Sequence, residues 1–264
     1  MKTTISTHVA RALVLCAAAM MALPTHAAST WAVDNCSVGT LQSAGTGCGS
    51  AGSSVHAYAY AVSNTNPGTS TFGGATLSQW GAGSGLGVAY GGESTGSPQH
   101  AMDNSGRTEL IALRFDQSVA LDKITLGWTQ GDADFSLFAW NGPGTPNSTG
   151  SDKIVGKTAG TLASSWSLIG NYSNAGGTTS PTDTRNNNIV STVNAGNVSS
   201  SWWIISAYNS GYGGSSLDSV SDYMKIMSFA SKDTTQVPEP GSLALLGAGL
   251  LGLMAARRRS GKAA

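Results

Sequence analysis

Five side chains near the middle of the chain carry the hard oxygen donors from which a site could be built: Asp103, Asn104, Glu109, Asp132 and Asp134. They fall in two short stretches, His100-Ala-Met-Asp-Asn-Ser-Gly-Arg-Thr-Glu109 and Asp132-Ala-Asp134, each where a glycine-bearing turn meets an apolar run. Calcium takes six to eight such oxygens, partly from backbone carbonyls of glycine-rich loops, so convergence of the five would make a structural calcium site. On an extended backbone Asp132 and Asp134 project to the same side, about 7 Å apart. A second reading fits the same residues: Asp103-Asn104-Ser105-Gly106 is a turn sequence, and Asp132 and Asp134 solvate the entry of a strand. No EF-hand spacing supports the metal.

Catalysis finds weaker footing. Paired carboxylates hydrolyse glycosides only when they face each other across a cleft, and spacing along the chain does not define that placement. Serine is so abundant that a Ser–His–Asp combination carries no information, and no Gly-x-Ser-x-Gly elbow serves a strand-to-helix turn. His100 reads as a loop residue that hydrogen-bonds locally. The expectation is a non-enzymatic protein, with a secreted glycan-active hydrolase as the alternative. Aromatic residues favour binding over turnover: Trp80, Trp128, Trp140, Trp166, Trp202 and Trp203 are many for one domain. Consecutive Trp202 and Trp203 in a strand face opposite sides. Either one lies near a surface where sugars stack, or both are core on the two sides of an inner strand.

The elements that must position these residues are strands. Val55–Val62 alternates alanines with His56, Tyr58 and Tyr60. Glu109–Phe115 places Ile111, Leu113 and Phe115 on one face, and Lys123–Trp128 does the same with Ile124, Leu126 and Trp128. Asp134–Trp140 is aromatic on both faces, as in a strand buried on both sides. Thr76–Trp80, Leu86–Tyr90, Ser165–Ile169, Ile189–Val193, Ser201–Tyr208 and Tyr223–Phe229 complete the series, with 141–150 and 171–188 as loops. No amphipathic helical period of useful length interrupts it. Many short strands with regular turn signals predict an all-β, antiparallel β-sandwich, Ig-like or jelly-roll, over residues 28–236.

Both ends read as targeting segments. Lys2 and Arg11 precede an apolar run from Ala12 to Leu23, and Thr25-His26-Ala27 offers a cleavage site between Ala27 and Ala28, which makes signal peptidase the first partner. Six of the 14 Lys and Arg residues (Lys2, Arg11, Arg257, Arg258, Arg259, Lys262) sit in the two ends, so the chain between them is acidic. That balance argues against nucleic acid and anionic lipid as partners. Export also makes a disulfide between Cys36 and Cys48 the default, whereas zinc would find only His56 and His100 for company. At the other end, Val237-Pro238-Glu239-Pro240 precedes the uncharged run Gly241–Ala256 and then Arg257, Arg258 and Arg259. Those 16 apolar residues make a helix of about 24 Å, short for a permanent anchor but long enough to enter a bilayer transiently. The arginines stay on the cytoplasmic side, which presents Pro-Glu-Pro at the outer face.

The order and position of these three parts, 237–264, resemble the PEP-CTERM sorting signal of Gram-negative bacteria. The resemblance implies an exosortase, a membrane-embedded cysteine protease-like enzyme, as processing partner. It also implies an inner-membrane intermediate on the way to the cell surface or extracellular matrix. A plain tail anchor after a proline hinge is the alternative. The interior pieces Gly85-Leu-Gly-Val88, His100-x-x-Asp103-Asn104, Glu109-Leu110 and Gly131-Asp-Ala-Asp134 are similar to exosortase-dependent surface proteins, which implies a secreted β-domain without an assigned reaction. The resulting expectation is an exported surface or matrix protein, structural or glycan-binding, in an envelope rich in exopolysaccharide. A calcium-stabilised adhesin is the other non-enzymatic variant.

Overall fold

Strands that are apolar at both parities need a layer on each side, and the structure, a computed structural model, supplies both. It describes residues 29–33, 46–48, 55–66, 68–79, 84–94, 96–173 and 184–232, with Gly249 and Gly252 in addition; 46–48 and 184–187 are described by backbone alone. Along the chain run β1 (Thr30–Ala32), β2 (Thr46–Cys48), β3 (Val55–Ser63), β4 (Gly73–Gly74), β5 (Thr76–Gln79), β6 (Leu86–Ala89), β7 (Met102–Asp103), β8 (Arg107–Val119), β9 (Leu121–Gln130) and β10 (Phe135–Trp140). Two one-turn helices follow, α1 (Ser151–Ile154) and α2 (Ala159–Leu162), then β11 (Trp166–Tyr172), β12 (Thr184–Thr192), β13 (Ser200–Ala207), the 3-10 turn Ser210–Tyr212, and β14 (Tyr223–Ser231). One sheet has the order β12-β9-β14-β6-β5, with β1 and β7 also on β14; the other has β11-β10-β13-β8-β3-β2, with β4 on β3. All strand pairs in both sheets are antiparallel.

The core lies between the sheets. Leu86, Ile124, Leu126, Met224, Ile226 and Phe229 of the first meet Val55, Ile111, Leu113, Phe135, Trp203 and Ile205 of the second. The opposite face of the second sheet is also buried. Tyr58, Tyr60, Leu110, Phe138, Trp202 and Ile204 pack there under Phe72, Ile154, Ala159, Leu162 and Tyr212. Alanines 57 and 59 alternate with Tyr58 and Tyr60, whose hydroxyls donate to the carbonyls of Ser148 (2.7 Å) and Thr149 (2.8 Å). The covering helices escape periodicity because each is one turn long; α2 holds itself by a capping box between Thr158 and Thr161. Strand β12 begins at Thr184, inside the stretch expected to be loop.

Trp128 departs from its expected face. Met224 pairs with Thr129 and Ile226 with Leu126, so β9 holds one residue more than β14 between these pairs. This bulge returns Thr129 to the core side and leaves Trp128, half-buried, beside Lys225 on the other face. The two readings of Trp202 and Trp203 also resolve: both are core, 3% and 0% exposed, on opposite sides of β13.

No helix among the described residues is long and apolar enough to cross a membrane. Cys36, the Cys48 side chain, the cleavage site at Ala27 and Ala28, Val237-Pro238-Glu239-Pro240 and Arg257, Arg258 and Arg259 lie outside the described residues. So does the apolar run 241–256, apart from Gly249 and Gly252. Trp202→Ala and Trp203→Ala should each destabilise the fold by about 3–5 kcal/mol, as large aromatic truncations in a core do. Urea unfolding measures it; a change within about 0.5 kcal/mol for either would mark a surface residue instead.

Candidate functional site

At one end of the sandwich the chain crosses three times between the sheets: β7 to β8 through Asn104–Gly106, β9 to β10 through Gly131–Asp134, and β13 to β14 ending at Asp222. Gly106 and Gly131 take positive φ (74° and 63°), the left-handed conformation in which L side chains are strained. The acidic residues sit on these crossings, and hydrogen bonds lace the crossings together. The Asn104 amide donates to the Tyr208 carbonyl (3.0 Å) and to Asp222 Oδ2, and its Oδ1 accepts the Asp222 amide (2.9 Å). The Asp134 amide donates to Asp222 Oδ1 (2.6 Å), and the Tyr223 amide donates to the Asp132 carbonyl (3.0 Å).

The five residues singled out in the sequence therefore divide. Asp132 and Asp134 meet Asp222, with one carboxylate oxygen from each within 4.8 Å of the others, and Asn104 braces this triad through Asp222. Asp103 and Glu109 form a separate pair on β7 and β8, where Glu109 Oε2 accepts the Asp103 amide (3.2 Å) and Glu93 adds a third negative charge. Asp222 escaped the sequence reading. The available signal was its place: it directly precedes an apolar strand, as Asp134 precedes Phe135.

Burial dominates the electrostatics of both groups. Removal from water pushes Asp222 up to about 9, with Asp132, Asp134 and Asp218 adding repulsion, and pushes Asp132 up to about 6. The same cause raises Asp103 to about 8 and Glu109 well above the ordinary carboxyl range, Glu109 further through Asp103 and Glu93. All these carboxyls fold more readily protonated than ionised unless a cation compensates. Asp103 Oδ2, Glu109 Oε1 and Asp132 Oδ2 are fully shielded from solvent and have no hydrogen-bond partner within reach among the described residues, while the carboxyls of Glu93 and Asp218 stand beside Glu109 and Asp132.

A second feature lies on the outer face of the first sheet. The Lys225 ammonium stands 5.5 Å from the Trp128 ring centroid, and His100 meets that ring edge-on at 6.1 Å. Burial lowers Lys225 to about 8 and, with Lys225 beside it, lowers His100 to about 4. Gly87 makes the approach possible, because a Cβ there would fall 2.2 Å from the His100 carbonyl oxygen. The spacing Gly85-Leu-Gly-Val88 to His100 thus has a packing reason.

These features define an all-β sandwich with buried acidic crossings, followed by a C-terminal segment of different character. That segment, residues 236–259, matches the family model of the PEP-CTERM protein-sorting motif. The motif implies processing by exosortase, a membrane enzyme, and with it export and sorting to the bacterial cell surface. Comparison with curated proteins gives no match.

The sign of the pH dependence follows from the Asp103–Glu109 pair. Their folded pKa values lie above the unfolded ones, so the stability they lend is complete below about pH 4 and is lost as pH rises through the folded values. Chelator-treated protein should melt lower at about pH 8 than at about pH 7, a window in which unfolded His is already mostly neutral. Glu109→Gln, which keeps the acceptor for the Asp103 amide and cannot ionise, should flatten that slope. Thermal melts across the window measure it; an equal slope in the variant would refute the assignment.

Proposed function

We propose that the chain is a non-enzymatic protein of the bacterial surface or extracellular matrix: a β-sandwich exported, processed by exosortase and set among envelope polysaccharide. The observation that carries this reading is the PEP-CTERM motif, which begins at residue 236, shortly after β14 ends at Ser231. The sandwich itself supports a structural part. Its large aromatics fill the layer between the sheets and the layer under the helices, and the carboxyls at the crossings are buried among backbone amides.

Contact with polysaccharide is assigned to the Trp128 face, in place of Trp202 and Trp203. A partly exposed indole stacks on the apolar face of a sugar ring, and Lys225, itself buried beneath it, braces the indole from the protein side. A glycan-binding screen with the secreted protein should return polysaccharides, with weak single-site affinity. Trp128→Ala should lose at least tenfold in binding while its melting temperature stays near that of the unaltered protein. Retained binding in that variant would remove the glycan assignment and leave the surface-protein reading standing.

The sorting reading has its own test. Replacing Pro238, Glu239 and Pro240 by alanine should leave a full-length, membrane-retained precursor, while the unaltered chain reaches the surface without residues beyond its processing site. Intact mass measurement of the surface form decides. A surface protein that still carries residues 241–264 would favour a simple anchor.

A further inference from the structure

We propose that Asp132, Asp134 and Asp222 hold a calcium ion that fastens together two of the chain crossings between the sheets. Three features converge on it. First, the ligand atoms: oxygens bound to one cation at about 2.4 Å lie at most about 4.8 Å apart, and one carboxylate oxygen from each of the three aspartates falls within that span. Second, the donor set is oxygen only, without imidazole or thiolate, the chemistry that suits calcium and not zinc. Third, Asp132 Oδ2 is completely shielded from solvent and has no hydrogen-bond partner within reach among the described residues, although its partner oxygen accepts the Ala133 amide (2.9 Å). Asp132 is 7% exposed. A buried carboxylate oxygen left without a donor is destabilising, and a cation is the partner that such an oxygen lacks. Asp218 stands beside Asp132 as a fourth carboxyl and adds to the negative charge there.

The crossings explain why an ion belongs there. Asp132 and Asp134 lie on the segment from β9 to β10, and Asp222 ends the segment from β13 to β14. Asp132 and Asp222 also form an isolated parallel bridge, so the two segments run side by side. The ion closes like charges across this bridge. Calcium fits better than magnesium, because magnesium keeps its water shell and resists an all-protein cage. Asp103 and Glu109 are outside the triad and take no part. Surface delivery is a separate matter: the ion site can exist on a chain that is sorted differently, and sorting can proceed without the ion.

The test uses the full chain, purified in mild detergent and stripped with chelator, with calcium chloride as the probe. At calcium about 100-fold above its dissociation constant the melting temperature should rise by about 5–10 °C, and magnesium at the same concentration should raise it less. Extracellular calcium modules bind at about 0.1–1 mM, which sets the range to titrate. Asp132→Asn should abolish the rise, yet melt in chelator at or above the temperature of the unaltered chain, because it removes one repelling charge. A residue with only a turn role would do the reverse, losing stability in chelator and leaving the calcium response intact. Asp103→Asn should retain the rise. Terbium luminescence sensitised by the adjacent Tyr223 gives a readout independent of variants: it should saturate, and calcium should displace it. A melting temperature unchanged between calcium and chelator, a rise that survives in Asp132→Asn, or terbium luminescence that does not saturate would each overturn the site.

Discussion

Holding three inter-sheet crossings together at one end of the sandwich is the constraint on which the rest of the structure depends. Each crossing turns the chain out of one ladder and into the other, so its backbone groups have no strand partner and must find others. Asn104 meets most of this need: its side chain reaches the Tyr208 carbonyl, the Asp222 carboxylate and the Asp222 amide. Asp222 in turn accepts the Asp134 amide, and Asp103 accepts the Ser105 amide (2.9 Å). Carboxylates and amides are the side chains that can terminate several N–H groups within a few residues, which explains why these types gather there. The same gathering places like charges close together in a poorly solvated region, and burial then drives their pKa values upward. Structural need for acceptors and electrostatic strain therefore have one origin.

Two-sided burial of the second sheet follows a different logic. Its strands β3, β8, β10 and β13 carry apolar residues at successive positions, so one face cannot be left in water. The first sheet covers one side. The other is closed by segments with almost no regular structure of their own: Phe72 from a loop, Ile154 and Leu162 from single-turn helices, and Tyr212 from a 3-10 turn. The Tyr212 hydroxyl, fully buried, is satisfied by the Ser206 hydroxyl at 2.7 Å. Such cover is cheap in chain length, since one or two large side chains per segment remove the sheet face from solvent.

That difference sets what was legible in the sequence. Strand periodicity is a repeated local signal, so Val55–Val62, Glu109–Phe115 and Tyr223–Phe229 stand within the observed strands β3, β8 and β14. The two-sided burial of 134–140 was readable from aromatics at both parities. One-turn helices have no period to read, and a bulge such as that in β9 shifts parity through a hydrogen-bond register that composition does not record. The site was half legible for the same reason. Residue type picked out Asp132, Asp134 and Asn104, but which acids meet depends on crossings far apart in sequence. Asp222 lies 88 positions from Asp134 and was hidden in a serine-rich loop that resembles solvated surface. Asp103 and Glu109, close in sequence to Asn104, pair with each other across β7 and β8 and stand apart from the triad.

The ladder around β14 joins the two ends of the described β-domain. β14 pairs with β9, β6 and β7, and β1 pairs with it through Thr30–Ala32 against Ser228–Ala230. The Ser29 amide donates to the Ser231 hydroxyl (3.0 Å), and Trp31 packs edge-on against Phe115 at 4.8 Å, with 1% of its surface exposed. The first described strand is thus completed by the last, across some 200 residues. In an exported chain such a pairing cannot form until β14 has crossed the membrane, and contacts of that sequence separation are the slow ones to make. β14 crosses immediately before the sorting motif that begins at residue 236. Closure of the sandwich and arrival of the motif at the membrane are therefore consecutive events on one polymer.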